Sequence, residues 1–215
     1  LISIFIGVAR QQGMKLKDVD FDLPTSPVGV LCSGGADSSL VLYLLMKYCD
    51  QPIHVLTMAN QKKHYTNVEV STNVIQWCIE NTKNINIQHH IQYVDEQTNK
   101  KLEQFTIPFL QTVKTLYIGD TCYPDDETNQ RFANETNDVF QDMLDRQPNK
   151  NRPTKIGPVY VPFTNYNKKK IAELYKYLGI EELFLLTRSC ETLLDIGTEH
   201  CNNCWWCKER EWAFE

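Results

Sequence analysis

The sequence predicts an α/β fold, a doubly wound parallel sheet, from three observations. Short apolar runs rich in β-branched residues recur along the chain. Segments with apolar residues at helical spacing follow them. The 215 residues suffice for one full-sized domain, and no internal repeat breaks the alternation.

The elements follow in order. Residues 27–32 (PVGVLC) read as a buried strand. Residues 33–37 (SGGAD) form a glycine loop, and residues 38–48 are apolar nearly all round, as a buried helix is. Residues 53–58 predict a second strand, 67–82 a second helix and 85–94 a third strand. A helix over residues 99–113 is interrupted by Pro108. Residues 115–118 predict a fourth strand ending at Gly119. Residues 127–146 predict a helix inside a polar, proline-bearing stretch, and 159–162 a short extended piece. The amphipathic segment 168–178 is a helix ended by Gly179. Parallel strands joined by helices imply a sheet covered on both faces.

Composition narrows the class. Apolar residues are 42% and charged residues 23%, near the globular average. Lys plus Arg is 22 against 27 for Asp plus Glu, a net charge of −5. An acidic chain is not expected to bind nucleic acid over a wide face. No apolar run reaches the roughly 18–20 residues that span a bilayer, so no membrane partner is expected. The apolar opening 1–8 lacks a basic leader and a cleavage site and is not read as a signal peptide. A cytoplasmic location is expected.

Of the eight cysteines, Cys32, Cys49, Cys78 and Cys122 lie in or near apolar segments and read as small buried hydrophobes. The other four, Cys190, Cys201, Cys204 and Cys207, are spaced C-x10-C-x2-C-x2-C. In a reducing compartment such clustering points to metal. Four thiolates suit tetrahedral Zn²⁺ in a structural role, with an iron–sulfur cluster as the rival. His200, beside Cys201, could replace one ligand, but four cysteines already fill a structural site.

The stretch Ser33-Gly34-Gly35-Ala36-Asp37-Ser38 lies between a predicted strand and a predicted helix. Its glycines allow a close backbone approach, and the amides of the helix's first turn complete an anion cradle. Hydroxyls of Ser33, Ser38 and Ser39 can add hydrogen bonds to phosphate. Asp37 would repel phosphate, so either Mg²⁺ lies nearby or Asp37 bonds back to the loop or caps the helix. The competing reading is a glycine turn without a ligand. No Lys follows the glycines as in a Walker loop.

These residues resemble a known group. SGGADS is similar to the SGGxDS loop of the ATP-pyrophosphatase superfamily. Thr187-Arg188-Ser189-Cys190, His200-Cys201-Asn202-Asn203-Cys204-Trp205-Trp206-Cys207, Arg210, Ala213 and Phe214 resemble the tail of 7-cyano-7-deazaguanine synthases. Tyr123-Pro124-Asp125 resembles that family's Y-P-D, and the stretch from Pro162 through Lys168 to Ile171 its P-x5-K-x2-I. Three positions depart from the pattern. Residues 59–64 (ANQKKH) stand where D-Y-G-Q-R-H is usual, Arg188 where Trp is common, and Asp126 where Cys is frequent.

The resemblance implies a Rossmann-like fold of the adenine-nucleotide α-hydrolase type. It implies a nucleotide-binding domain at 26–186, a four-cysteine tail at 187–215 and an N-terminal extension at 1–25. It further implies an ATP-dependent ligase that converts 7-carboxy-7-deazaguanine and ammonia to the nitrile, in queuosine and 7-deazapurine biosynthesis. ATP is then a co-substrate held by Cys32, Ser33, Gly34, Gly35, Ala36, Asp37, Ser38 and Ser39. Asp37, Lys63 and Lys168 are the implied catalytic residues, and His64, Arg188 and Arg210 the implied substrate contacts. For Lys168 the alternative is a solvated helix start; for Arg210, bracing of the tail. Lys63 and His64 otherwise read as solvated loop residues. Trp205 and Trp206 read as tail packing or a dimer contact rather than a stacking platform. Homodimerisation is implied by the resemblance alone. The alternatives are another superfamily member, amide-forming or thiolating, and a non-catalytic zinc-bound nucleotide-binding module.

Overall fold

The computed structural model describes residues 13–16, 19–60, 66–94, 108–136, 153–190 and 197–214. Strands β1 (Gly13–Leu16) and β2 (Val19–Asp22) form an antiparallel hairpin. Then follow β3 (Val28–Leu31), α1 (Ala36–Tyr48), β4 (Ile53–Asn60), α2 (Asn67–Asn81) and β5 (Ile87–Val94). After them come β6 (Thr115–Ile118), α3 (Asp126–Thr136), β7 (Lys155–Ile156) and β8 (Val159–Tyr160). Helices α4 (Lys168–Leu178), α5 (Glu181–Leu186) and α6 (Trp205–Phe214) close the chain.

The main sheet has the order β5-β4-β3-β6-β8-β7, parallel except for β7 against β8. The order runs outward from β3 to β5 on one side and from β6 on the other. The reversal between β3 and β6 leaves a crevice at their carboxyl ends, where α/β sheets hold ligands.

Alternation along the strands divides the core. Val28, Val30, Ile53 and Val55 pack with α1, whose residues Leu40–Met46 are buried throughout, and with Val74 and Cys78 of α2 and Ile171, Leu174 and Tyr175 of α4. On the opposite face Leu56, Met58 and Leu116 pack with Phe109 and Val113. Gly29 leaves room there: a Cβ would come 2.5 Å from the Phe109 ring.

Most predicted elements appear within a residue or two of the expected bounds, and 115–118 and 168–178 coincide with them. Helix α4 begins where the Asn167 side chain accepts from the Lys170 amide at 3.2 Å, and ends at Gly179 in the left-handed region (φ 65°). Most of the expected 99–113 helix and the second half of 127–146 lie outside the described residues. Pro108 opens a short helical turn in which the Gln111 amide donates to the Pro108 carbonyl at 3.1 Å. As a first-turn residue it loses no hydrogen bond.

Residues 19–22 are no loose extension. Phe21 is fully buried among Tyr117, Tyr160 and Phe163, and burial of such a ring contributes about 1.5–3 kcal/mol. Tyr117 donates its hydroxyl to the Asp22 carbonyl at 2.7 Å. Residues 1–12 lie outside the described residues. Among the described residues no helix is long and apolar enough to cross a membrane.

Candidate nucleotide site and four-cysteine centre

The SGGADS loop leaves the carboxyl end of β3 and enters α1, so it lies at the reversal of strand order. Gly34 has φ 82°, and a Cβ on it would come 2.6 Å from Val70 Cγ1 of α2. Both facts require glycine. Gly35 is the N-cap of α1 without a side-chain cap, so the first-turn amides stay open. The Gly35 amide donates to Ser33 Oγ at 3.3 Å, and Ser38 Oγ–H to the Gly35 carbonyl at 3.1 Å. Gly119, just past β6, lies against the Asp37–Ser38 backbone so closely that any Cβ would collide with it. Its need for glycine comes from neighbours distant in sequence, which a reading of the sequence passes over.

The loop residues differ in access. Ser33 is exposed, and Gly35 and Asp37 are half-buried. Ser39 is fully buried with its Oγ unpaired, so it stands behind the loop rather than among its accessible donors. Cys32 is also fully buried, and loss of solvent pushes its thiol up to about 11. Its carbonyl accepts from Thr57 Oγ1 of β4 at 2.9 Å, tying two strand ends together.

Asp37 caps nothing. It receives a hydrogen bond from Lys168 at the start of α4, and Thr121 donates to the same Oδ2 at 3.4 Å. Its buried Oδ1 has no hydrogen-bond partner. Lys168 is buried rather than solvated, and its Nζ also lies 3.9 Å from Oε2 of the buried Glu209 on α6. Glu209 was not among the residues singled out by sequence, where it stands in the charged run Lys208-Glu209-Arg210-Glu211.

The two arginines brace the tail. The Arg188 amide donates to the Gly34 carbonyl at 3.0 Å, and its Nη1 reaches the Cys190 carbonyl at 2.8 Å and Thr66 Oγ1 at 3.3 Å. Arg210 donates to Thr187 Oγ1 and to the Phe184 carbonyl, each at 2.8 Å, with its guanidinium 3.6 Å from the Phe184 ring centroid. Burial lowers Arg210 to about 10. A cleft of about 400 Å³ beside it is lined by Phe184, His200, Asn202, Lys208 and Phe214. Phe184 and Phe214 stack on each other at 3.5 Å, so those ring faces are already covered. Lys63 and His64 lie outside the described residues.

The four tail cysteines converge: their sulfurs all lie within 4.8 Å of one another. Cys201 Sγ is 3.9 Å from Cys207 Sγ, and Cys204 Sγ is 4.0 Å from Cys190 Sγ. Four bonds of about 2.3 Å to one tetrahedral ion need sulfurs about 3.8 Å apart, so the set fits a single metal ion. A four-iron cluster takes each thiolate on a different iron and needs them further apart. The Cys201 amide donates to Cys190 Sγ at 3.4 Å and the Cys204 amide to Cys201 Sγ at 3.3 Å. Hydrogen bonds with Cys190 and Cys204, then burial, push the Cys207 thiol up. His200 stands beside the set, its Nδ1 3.8 Å from Cys207 Sγ.

Trp205 is fully buried, donates Nε1–H to Asn129 Oδ1 at 3.0 Å and meets Tyr123 edge-on at 5.0 Å. It is a packing residue of a small core that includes Tyr123, Phe132 and the cysteines.

No curated protein matches the chain. Among solved structures, a U34-tRNA thiolase from Methanococcus maripaludis with its 4Fe–4S cluster is 14% identical with a TM-score of 0.44, covering 73% of this chain and 57% of its own. NMN synthetase from Francisella tularensis is 14% identical with a TM-score of 0.48, covering 80% and 69%. A 4-thiouridine synthetase in complex with RNA and ATP is 14% identical with a TM-score of 0.48, covering 87% and 53%. The chain thus spans little more than half the length of the thiolase and of the 4-thiouridine synthetase. The family model for NAD synthase matches residues 23–112, from the entry to β3 to the turn before β6. That match contains the SGGADS loop and covers under half of the chain.

Proposed function

We propose that the chain is an ATP-dependent carbon–nitrogen ligase that adenylates the carboxylate of 7-carboxy-7-deazaguanine and converts it with ammonia to the nitrile. One observation carries the reading. The SGGADS loop, Lys168 and the four-cysteine tail meet at one end of the sheet, joined by the Asp37–Lys168 pair and the Arg188 amide on Gly34.

The chemistry needs charge neutralisation and alignment. Amides of the loop and of the first turn of α1 hold the phosphates of ATP. Lys168 supplies a cation beside them. Mg²⁺ would be held by Asp37, whose buried Oδ1 lacks a partner, and it would neutralise phosphate charge. The substrate carboxylate attacks the α-phosphorus, and pyrophosphate leaves. Ammonia displaces AMP and gives the amide. The amide oxygen attacks the α-phosphorus of a second ATP with loss of pyrophosphate and a proton, and departure of AMP with the remaining N–H proton leaves the nitrile. Cys190, Cys201, Cys204 and Cys207 would hold Zn²⁺ in a structural role, since four thiolates leave no open position for a water.

A second reading has its own support. The match to the NAD synthase model favours a ligase that stops at an amide. Mass spectrometry of the product after incubation with ATP, Mg²⁺, ammonium and the carboxylate separates the two. The nitrile bears out the first, the amide the second. AMP release that needs neither carboxylate nor ammonium overturns both.

A further inference from the structure

Glu209 has no part in the mechanism above, yet it is buried beside it. Its carboxylate is 3% exposed on α6, two residues beyond Cys207, and lies 3.9 Å from Lys168 Nζ. Burying a carboxylate costs free energy unless it is paired, and an aliphatic side chain would fill the position at lower cost. Three elements each bring one charge to this cluster: Asp37 from α1, Lys168 from α4 and Glu209 from α6. Helix α6 starts at the residue after Cys204 and contains Cys207, so the cysteine set fixes where Glu209 stands. Lys169 stacks on Trp212 at 4.5 Å and holds α4 to the same helix.

The geometry points to Glu209 as a positioning residue that couples metal occupancy at the four cysteines to nucleotide affinity at the SGGADS loop. It holds the Lys168 ammonium from the tail side, so that Lys168 is shared between Asp37 and an incoming phosphate rather than lost to Asp37 alone. The inference rests on the reading of the loop as an ATP site. Coupling of binding energies is reciprocal, so a nucleotide in the loop must tighten the metal by the same factor.

The test uses the full chain loaded with Co²⁺, whose thiolate bands report the metal site. Co²⁺ affinity is measured against a chelator buffer, in excess Mg²⁺, with and without an ATP analogue that has a methylene bridge between the α and β phosphates. The analogue should tighten Co²⁺ at least about fivefold in the wild type. In Glu209→Gln the gain should fall below about twofold, with the Co²⁺ spectrum unchanged and the analogue still bound by calorimetry. Glu209→Leu, which removes the charge and keeps the bulk, serves if the amide variant does not fold. In a Lys168→Met background the Glu209 change should have no further effect, which a packing role would not produce. Nucleotide binding without tightening overturns the coupling alone. Tightening that survives Glu209→Gln overturns the role of Glu209, the coupling then running through the Arg188 contacts. Absence of nucleotide binding by the loaded wild type overturns the ATP reading and this inference together.

Discussion

Asp37 and Gly34 show how much of the site rests on single atoms. Asp37→Ala removes the partner of Lys168 but leaves it beside Glu209, so the buried cation keeps a counter-charge. The stability loss should therefore fall short of the about 3–5 kcal/mol typical of an orphaned buried charge. AMP release should drop on the order of 10²-fold or more, as when one preorganised electrostatic group is lost. Steady-state kinetics and urea unfolding on one preparation check both. Gly34→Ala forces a Cβ into a left-handed backbone and against Val70, and should cost about 1–3 kcal/mol together with nucleotide binding. Calorimetry with ATP and thermal unfolding measure the two effects. The loop was legible because glycines, hydroxyls and a strand-to-helix setting coincide within six residues. Glu209 and Gly119 were not, because what makes each necessary lies far away in the chain.

Helix α6 joins the four-cysteine site and the core as one unit. Trp205 at its start fills the gap between Tyr123, Phe132 and Trp206 and bonds Asn129. Trp205→Ala should cost about 3–5 kcal/mol and weaken metal retention, read by chemical denaturation and by metal content after dialysis. The cysteine spacing announced the candidate metal site, but not that residues 205–214 are helical: eight of the ten are aromatic or charged, and no clear apolar stripe marks the face that is buried. The β1–β2 hairpin went unread for a related reason, since four-residue strands carry too few alternations to register. Strands β3, β4 and β6, largely buried inside the sheet, wrote themselves as apolar runs, whereas β5 at the edge exposes Ile91 and Tyr93.

Across the molecule, the strand order and its reversal set the SGGADS loop at one end of the sheet; the alternation of strands and helices predicted the mostly parallel sheet, but not its strand order. The histidines act on the whole fold. Burial, then the neighbouring His90, holds His54 and His89 below the usual imidazole range. Their folded pKa values lie under the unfolded value of about 6.5, so their contribution to stability is complete above that pH and is lost as the pH falls through the lowered values. The urea midpoint should decline between pH 7 and pH 5, and a double change of His54 and His89 to Gln should flatten the decline. The hairpin at the other end carries a practical lesson for protein engineering. Trimming the chain to begin at Ser26 would look harmless by sequence, but it would strip Phe21 from its ring partners and leave the Tyr117 and Tyr160 hydroxyls without Asp22. A shortened gene drawn at the first strand of the main sheet would yield an aggregating product, while one that keeps residue 13 onward retains the plug.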